Sequence, residues 1–291
     1  MGDAVPSDAK RTAGAVLTAR IADLVGRLRE LEPAVRADAP DAVHQMRITA
    51  RRLRGALGAY RRLLADDLGA VEELRWLGSS LGRARDAEVL GARLLGLARE
   101  LPYDAGRDGV VSDLEQWSAL QAREGRVEVL AALDSDRYRA LLALLGRLAG
   151  EPPLTARAGE RADREIERTI RRERRRTERR VTAALEAVAS VAEGVDSGSE
   201  RDRALHDARK AAKRARYAGE LGGTRQAGFT RRMKAVQDVL GRHQDAVIAC
   251  TTVRRLSDGG FGYGVLYGRE VAAAERAREE LPGVWGRGEG A

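Results

Sequence analysis

One twelve-residue pattern is written twice in this chain. Val43–Arg54 carries His44 followed by Arg47, Arg51, Arg52 and Arg54. Leu205–Arg216 carries His206 followed by Arg209, Lys213, Arg214 and Arg216 at the same four offsets. A helix turns about 100° per residue. His44, Arg47, Arg51 and Arg54 therefore fall within roughly 80° of arc, while Met46, Ala50, Leu53 and Leu57 fall on the opposite side. Each copy predicts a helix with an apolar back for a core and a cationic front for an anion.

A second landmark follows each copy. Leu81–Ala87 and Leu240–Ala246 both read Leu-Gly-Arg-x-x-Asp-Ala. The histidines are 162 residues apart and the landmark leucines 159, so the same order recurs at nearly one spacing. This is the signature of an internal duplication. Apolar spacing predicts helices over about 8–31, 41–65, 67–99, 109–134 and 136–148, then 157–192, 200–221, 225–256 and 263–280. Pro33 is expected to stop the first, Gly125 to weaken the fourth and Pro282 to close the last. No segment alternates with the period of a strand. The expected fold is all-α: one domain over 9–281, with repeats at 9–150 and 155–281 joined by the linker Gly150–Pro153. Residues 1–8 are expected to fray, 194–199 to form a loop and 282–291 a disordered tail.

The chain holds 52 Lys+Arg against 44 Asp+Glu, a net charge of +8, and only four of the 52 are lysine. A basic balance calls for an anionic partner such as nucleic acid, a membrane surface or a phosphate polymer. A GC-rich genome also favours arginine, but does not explain cations that repeat in register. Aromatics at 4% are too few for a base-stacking platform. One cysteine, Cys250, leaves no intramolecular disulfide and no cysteine-built zinc site. With no apolar run of about 20 residues and no leader, the expectation is a cytoplasmic protein without a membrane span.

The paired histidine–arginine helices, each followed by Leu-Gly-x-x-x-Asp, resemble those of the CHAD family, the conserved histidine α-helical domain. The resemblance covers about residues 9–281 and implies two four-helix bundles related by an internal pseudo-two-fold. Their basic surfaces would line a groove or pore that binds inorganic polyphosphate. It carries the ligand role to His44, Arg47, Arg51, Arg52 and Arg54, and to His206, Arg209, Lys210, Lys213, Arg214 and Arg216. Ile48 stands where the second copy has Lys210, so the second half is expected to bind more strongly.

Ten residues from His44 to Arg54 span about 15 Å of helix axis, which suits a linear polyanion better than a single phosphate. On the helix over 157–192, Arg168, Arg171 and Arg175 share a further stripe with Arg164 and Arg179, opposite Ile166 and Ile170. Glutamates three or four residues away make a solvated, salt-bridged helix the competing account of that stripe. The histidines lack the Cys or paired carboxylates of a metal site and the acid–base partners of a phosphohistidine nucleophile. The reading is therefore a non-enzymatic polyphosphate binder with no metal or cofactor, cytoplasmic and associated with polyphosphate granules. Two alternatives stay open: a sequence-blind nucleic-acid binder, and a phosphohydrolase or phosphotransferase.

Overall fold

In the computed structural model, residues 11–192 and 198–286 are described. They form α1 (Ala13–Arg36), α2 (Ala42–Ala59), α3 (Ala70–Arg99), α4 (Arg107–Asp134), α5 (Asp136–Gly150), α6 (Ala162–Ala192), α7 (Gly198–Glu220), α8 (Ala227–Leu256) and α9 (Phe261–Gly286). Short 3-10 turns follow α2 and precede α4, α6 and α8. The fold is all-α, as the spacing predicts. The expected frayed start, most of the 194–199 loop and the last five residues lie outside the described residues.

Two compact units emerge from the contacts. The first comprises Met1–Gly82, Glu128–Thr177 and Lys213–Arg231, the second Arg83–Val127, Glu178–Ala212 and Arg232–Ala291. Each draws on both sequence repeats, and α3, α4, α6, α7 and α8 contribute to both. In the first unit α1 packs against α2 and α5. Leu17, Ile21, Leu24 and Leu28 of α1 and Met46, Leu53 and Leu57 of α2 are buried there. These are the apolar faces that the helical period assigns. In the second unit, one core cluster gathers Leu94, Leu114, Val253, Tyr263 and Leu266. Another gathers Val181, Leu205, Ala208, Ala212, Val236, Leu240 and Leu281.

The expected linker Gly150–Pro153 and the residues after it carry backbone hydrogen bonds within the first unit. Ala65 N–H donates to Pro153 O at 2.7 Å, and Thr155 N–H to Leu63 O at 3.0 Å. Ala13 N–H donates to Glu160 O at 2.8 Å, and Ala162 N–H to Arg11 O at 3.0 Å.

Three punctuation marks fail. Pro33 lies inside α1 and Pro282 inside α9. Each sits within the last turn or so, where the missing N–H removes a single bond and packing outweighs it. Val35 is buried beyond Pro33, and Val284 and Trp285 pack on a core cluster beyond Pro282. Gly125 is no weak point in α4. A Cβ there would come 2.6 Å from the Ala84 Cα, so this glycine is the place where α4 crosses α3. Gly109, on the same helix, has nothing within 4 Å. Gly109→Ala should therefore stabilise the fold by up to about 1 kcal/mol through helix propensity. Gly125→Ala should destabilise it by about 1–3 kcal/mol through overpacking. Urea unfolding of the two variants checks this, and equal midpoints would refute the crossing.

Candidate polyanion-binding faces

Close backbone contact joins the motif helices in the first unit. A Cβ at Gly55 would lie 2.3 Å from the Tyr217 ring, so only glycine lets α2 approach α7 this closely. The buried Tyr60 hydroxyl, just after α2, donates to Ala218 O at 2.7 Å. Burial drives its pKa up.

The cations on this face divide by occupation. Arg214 Nη2 donates to Gly58 O at 2.7 Å, and Arg172 Nη2 to Ala59 O at 2.6 Å. Two guanidinium groups thus satisfy carbonyls at the carboxyl end of α2, where the helix dipole favours positive charge. Glu173 joins them. It is 1% exposed, with Arg214 Nε at 3.0 Å and Arg172 Nε at 3.3 Å. Burial lowers the Arg214 pKa; Glu173 opposes this, while Arg176, Arg61 and Arg172 push it down further. Two arginines therefore share one buried carboxylate, and further like charges act on Arg214.

Arg52 and Arg216 turn to another acid. Arg52 Nε lies 3.4 Å and Arg216 Nε 3.9 Å from the Glu220 carboxylate, which also receives Arg20 of α1 at 3.3 Å. Arg54 is half-buried, and its pKa is lowered first by burial and then by the like charge of Arg75. His44, Arg47, Arg51 and Lys213 are all half-buried, each with an interaction of its own. Arg47 lies over Gly82 of α3, its guanidinium 3.5 Å from where a Cβ would stand.

The second unit repeats that last arrangement. The Arg209 guanidinium lies over Gly241 of α8, its Nε 3.8 Å from where a Cβ would stand. In each copy the arginine three places after the motif histidine thus lies against the landmark glycine, at distances a Cβ would also allow. Arg209 Nε is buried and has no hydrogen-bond partner among the described residues. His206 Nδ1 lies 3.0 Å from Gln244 Oε1. An amide oxygen there assigns the proton to Nδ1 and leaves Nε2 for another partner.

Lys210, the second copy's additional cation, is exposed and lies 3.5 Å from Asp207, which also faces Arg180 at 3.6 Å. The first copy has Gln45 and Ile48 at those two places. The extra lysine thus comes with an extra carboxylate, and the two copies carry the same net charge there.

On α6, Arg168 pairs with buried Glu165 at 2.5 Å, and Glu165 also holds Arg157 at 2.6 Å. Arg171 and Arg175 are exposed, as are Arg164 and Arg179. The arginine of α6 that reaches α2 is half-buried Arg172, next to the buried side of the helix; Arg176 is exposed. Glu165, Thr169, Glu173 and Thr177 recur every fourth residue and are all buried. That polar stripe is the sequence signal for Arg172, which lies next to Glu173. The surface-helix account counted its glutamates as solvated.

His243 of the second landmark is 3% exposed. Arg278 Nη1 lies 3.5 Å and Asp202 3.8 Å from its Nε2. Burial pushes its pKa down to about 4; Asp202 opposes this, and Arg278 and Arg201 add to it. Among the described residues no three His, Cys, Asp or Glu side chains gather as a metal site requires. No helix there is long and apolar enough to cross a membrane.

The CHAD domain profile matches residues 19–254. The chain belongs to the CHAD domain family. It is 35% identical over 281 residues to the uncharacterized proteins MT2285 and Rv2226 of two Mycobacterium tuberculosis strains. The match covers 90% of this chain and 50% of each relative, so the chain spans about half their length. Among solved structures, PptA from Streptomyces chartreusis superposes with a TM-score of 0.78 at 21% identity, over 94% of this chain and 99% of that one. The CHAD domain from the plant Ricinus communis superposes at 0.68 and 23% identity, over 97% and 93%. At these identities the likeness shows the shared fold.

The buried histidine sets one pH dependence. His243 is neutral in the fold down to about pH 4, whereas its unfolded counterpart takes a proton near 6.5. Its contribution to stability is therefore complete above about pH 6.5 and is lost as pH falls toward 4. The slope reaches at most about 1.4 kcal/mol per pH unit. His243→Gln should flatten the wild-type fall in urea-unfolding free energy between pH 7.5 and 5. An unchanged slope would place the titrating group elsewhere.

Proposed function

We propose that this CHAD domain binds inorganic polyphosphate without turning it over, and that binding associates it with polyphosphate granules in the cytoplasm. The observation that carries the reading is Arg209. A half-buried guanidinium over a glycine, its Nε without a hydrogen-bond partner, is costly unless an anion completes it. Its repeat counterpart Arg47 occupies the same seat on Gly82. Membership of the CHAD family supports a polyphosphate-related partner over other polyanions.

A phosphate chain offers a charge on each unit and no bases, so its reader needs guanidinium forks and no stacking groups. In the first unit Arg47, Arg51 and Arg54 of α2 and Lys213 of α7 supply them; in the second, Arg209 of α7 does. Arg214 acts indirectly, by capping α2. The His206 ring, held by Gln244 through Nδ1, leaves Nε2 for the ligand. By analogy with nucleic acid, affinity should fall steeply with salt as counterions are released.

Arg51→Glu with Lys213→Glu should abolish retention on a long-chain polyphosphate column and leave the helical circular dichroism unchanged. Arg209→Ala should weaken binding at least tenfold, and exposed Arg175→Ala less than twofold. Undiminished retention of the double variant would sink the assignment. Displacement by DNA at equal phosphate concentration would favour the nucleic-acid reading, and orthophosphate release by the purified protein the enzymatic one.

A further inference from the structure

The molecule holds two kinds of partly enclosed arginine–carboxylate contact. In the second unit Arg93 grips Glu270 with both arms, at 2.7 and 2.6 Å, and the Glu270 side chain is 0% exposed. That pair is locked. In the first unit three guanidinium groups from three helices converge on Glu220, and only Arg20 donates a hydrogen bond to it. Arg20 and Arg52 share Oε2 at 3.3 and 3.4 Å, and Arg216 stands 3.9 Å from Oε1.

Two carboxylate oxygens cannot satisfy three forks, whereas a terminal phosphate presents three oxygens and up to two charges. The cations are held in advance. Arg20 keeps its other arm on Asp23 at 2.9 Å, and Arg216 lies over the Tyr217 ring, 4.6 Å from its centroid. Glu220 is the last residue of α7, and its side chain is 18% exposed, which leaves it a way out to solvent. Gly222 and Gly223 follow, the latter at φ 57°.

The geometry points to a discrete seat for a terminal phosphate group made by Arg20, Arg52 and Arg216, with Glu220 as the resident carboxylate that an incoming phosphate displaces. The seat rests on the polyphosphate reading for Arg52 and Arg216. It adds Arg20, which lies outside both motifs, and gives Glu220 the role of built-in competitor. Short chains, richest in ends, gain most from it.

Titration calorimetry with tripolyphosphate tests it. Glu220→Gln should tighten binding about tenfold. Glu115→Gln, which removes an exposed acid paired with Arg99, makes the same change in net charge and should tighten it less than twofold. Arg20→Ala should weaken wild-type binding several-fold, and the charge-matched Arg99→Ala should not. If Glu220→Gln fails to fold by circular dichroism, the Arg20→Ala and Arg99→Ala pair decides alone. Equal effects within either matched pair overturn the seat. Retention of long-chain polyphosphate with equal effects leaves only the long-chain reading standing. Tightening by Glu220→Gln without long-chain retention leaves only the seat.

Discussion

Glu173 is the charge on which the first unit's cationic face depends. It is buried, and it sits between two arginines that reach the last carbonyls of α2. Arg61 and Arg176 add to the positive field there. Removing one member of such a group costs several kcal/mol, because the charges left behind stay partly buried and uncompensated. The carboxylate allows guanidinium groups to gather where repulsion would otherwise scatter them. α2 gains a cap, α6 and α7 are tied to its end, and Tyr60 and Gly55 close the same crossing.

Much of this was legible in the sequence. The helical period of α1 and α2 names the residues buried in the first unit. The doubled histidine pattern located the residues now found half-buried along α2 and α7. What period reading missed were interactions whose partners lie far along the chain. Gly125 resembles a helix break in isolation and becomes a crossing only because Ala84 lies against it. Pro33 and Pro282 resemble stops until the burial beyond them is seen. On α6 the sequence presents Glu165 and Glu173 amid arginines, and local charge balance explains them well enough. Only the packing reveals that the fourth-residue stripe is interior and that Arg172 turns from its edge to the end of α2.

Comparing the copies position by position separates what the repeat preserves from what it varies. The arginine on the landmark glycine is preserved, as Arg47 on Gly82 and Arg209 on Gly241. The surroundings are not. Gln244, which orients His206, corresponds to Arg85, a side chain with no acceptor to offer an imidazole N–H. Asp207 and Lys210 replace Gln45 and Ile48 as a compensated pair, so the expected advantage of the second half has no basis in charge count. His243 replaces Ala84 and is buried beside Arg278. The two faces therefore share one arginine geometry and differ in how each histidine is held.

The same geometry explains why arginine is used here, whatever the genome contributes to its abundance. Arg54 and Arg214 are half-buried, and burial lowers the pKa of each. A guanidinium starts high enough to keep its proton through such a shift, whereas a lysine ammonium in the same place is far easier to neutralise. The planar fork also reaches a helix carbonyl with one arm and a carboxylate with another, as Arg214 does with Gly58 and Glu173. An ammonium group carries its three donors on one atom and cannot divide them over that span. Lys210, the lysine with no counterpart in the first copy, stands where such a demand is absent: it is exposed, with Asp207 at 3.5 Å.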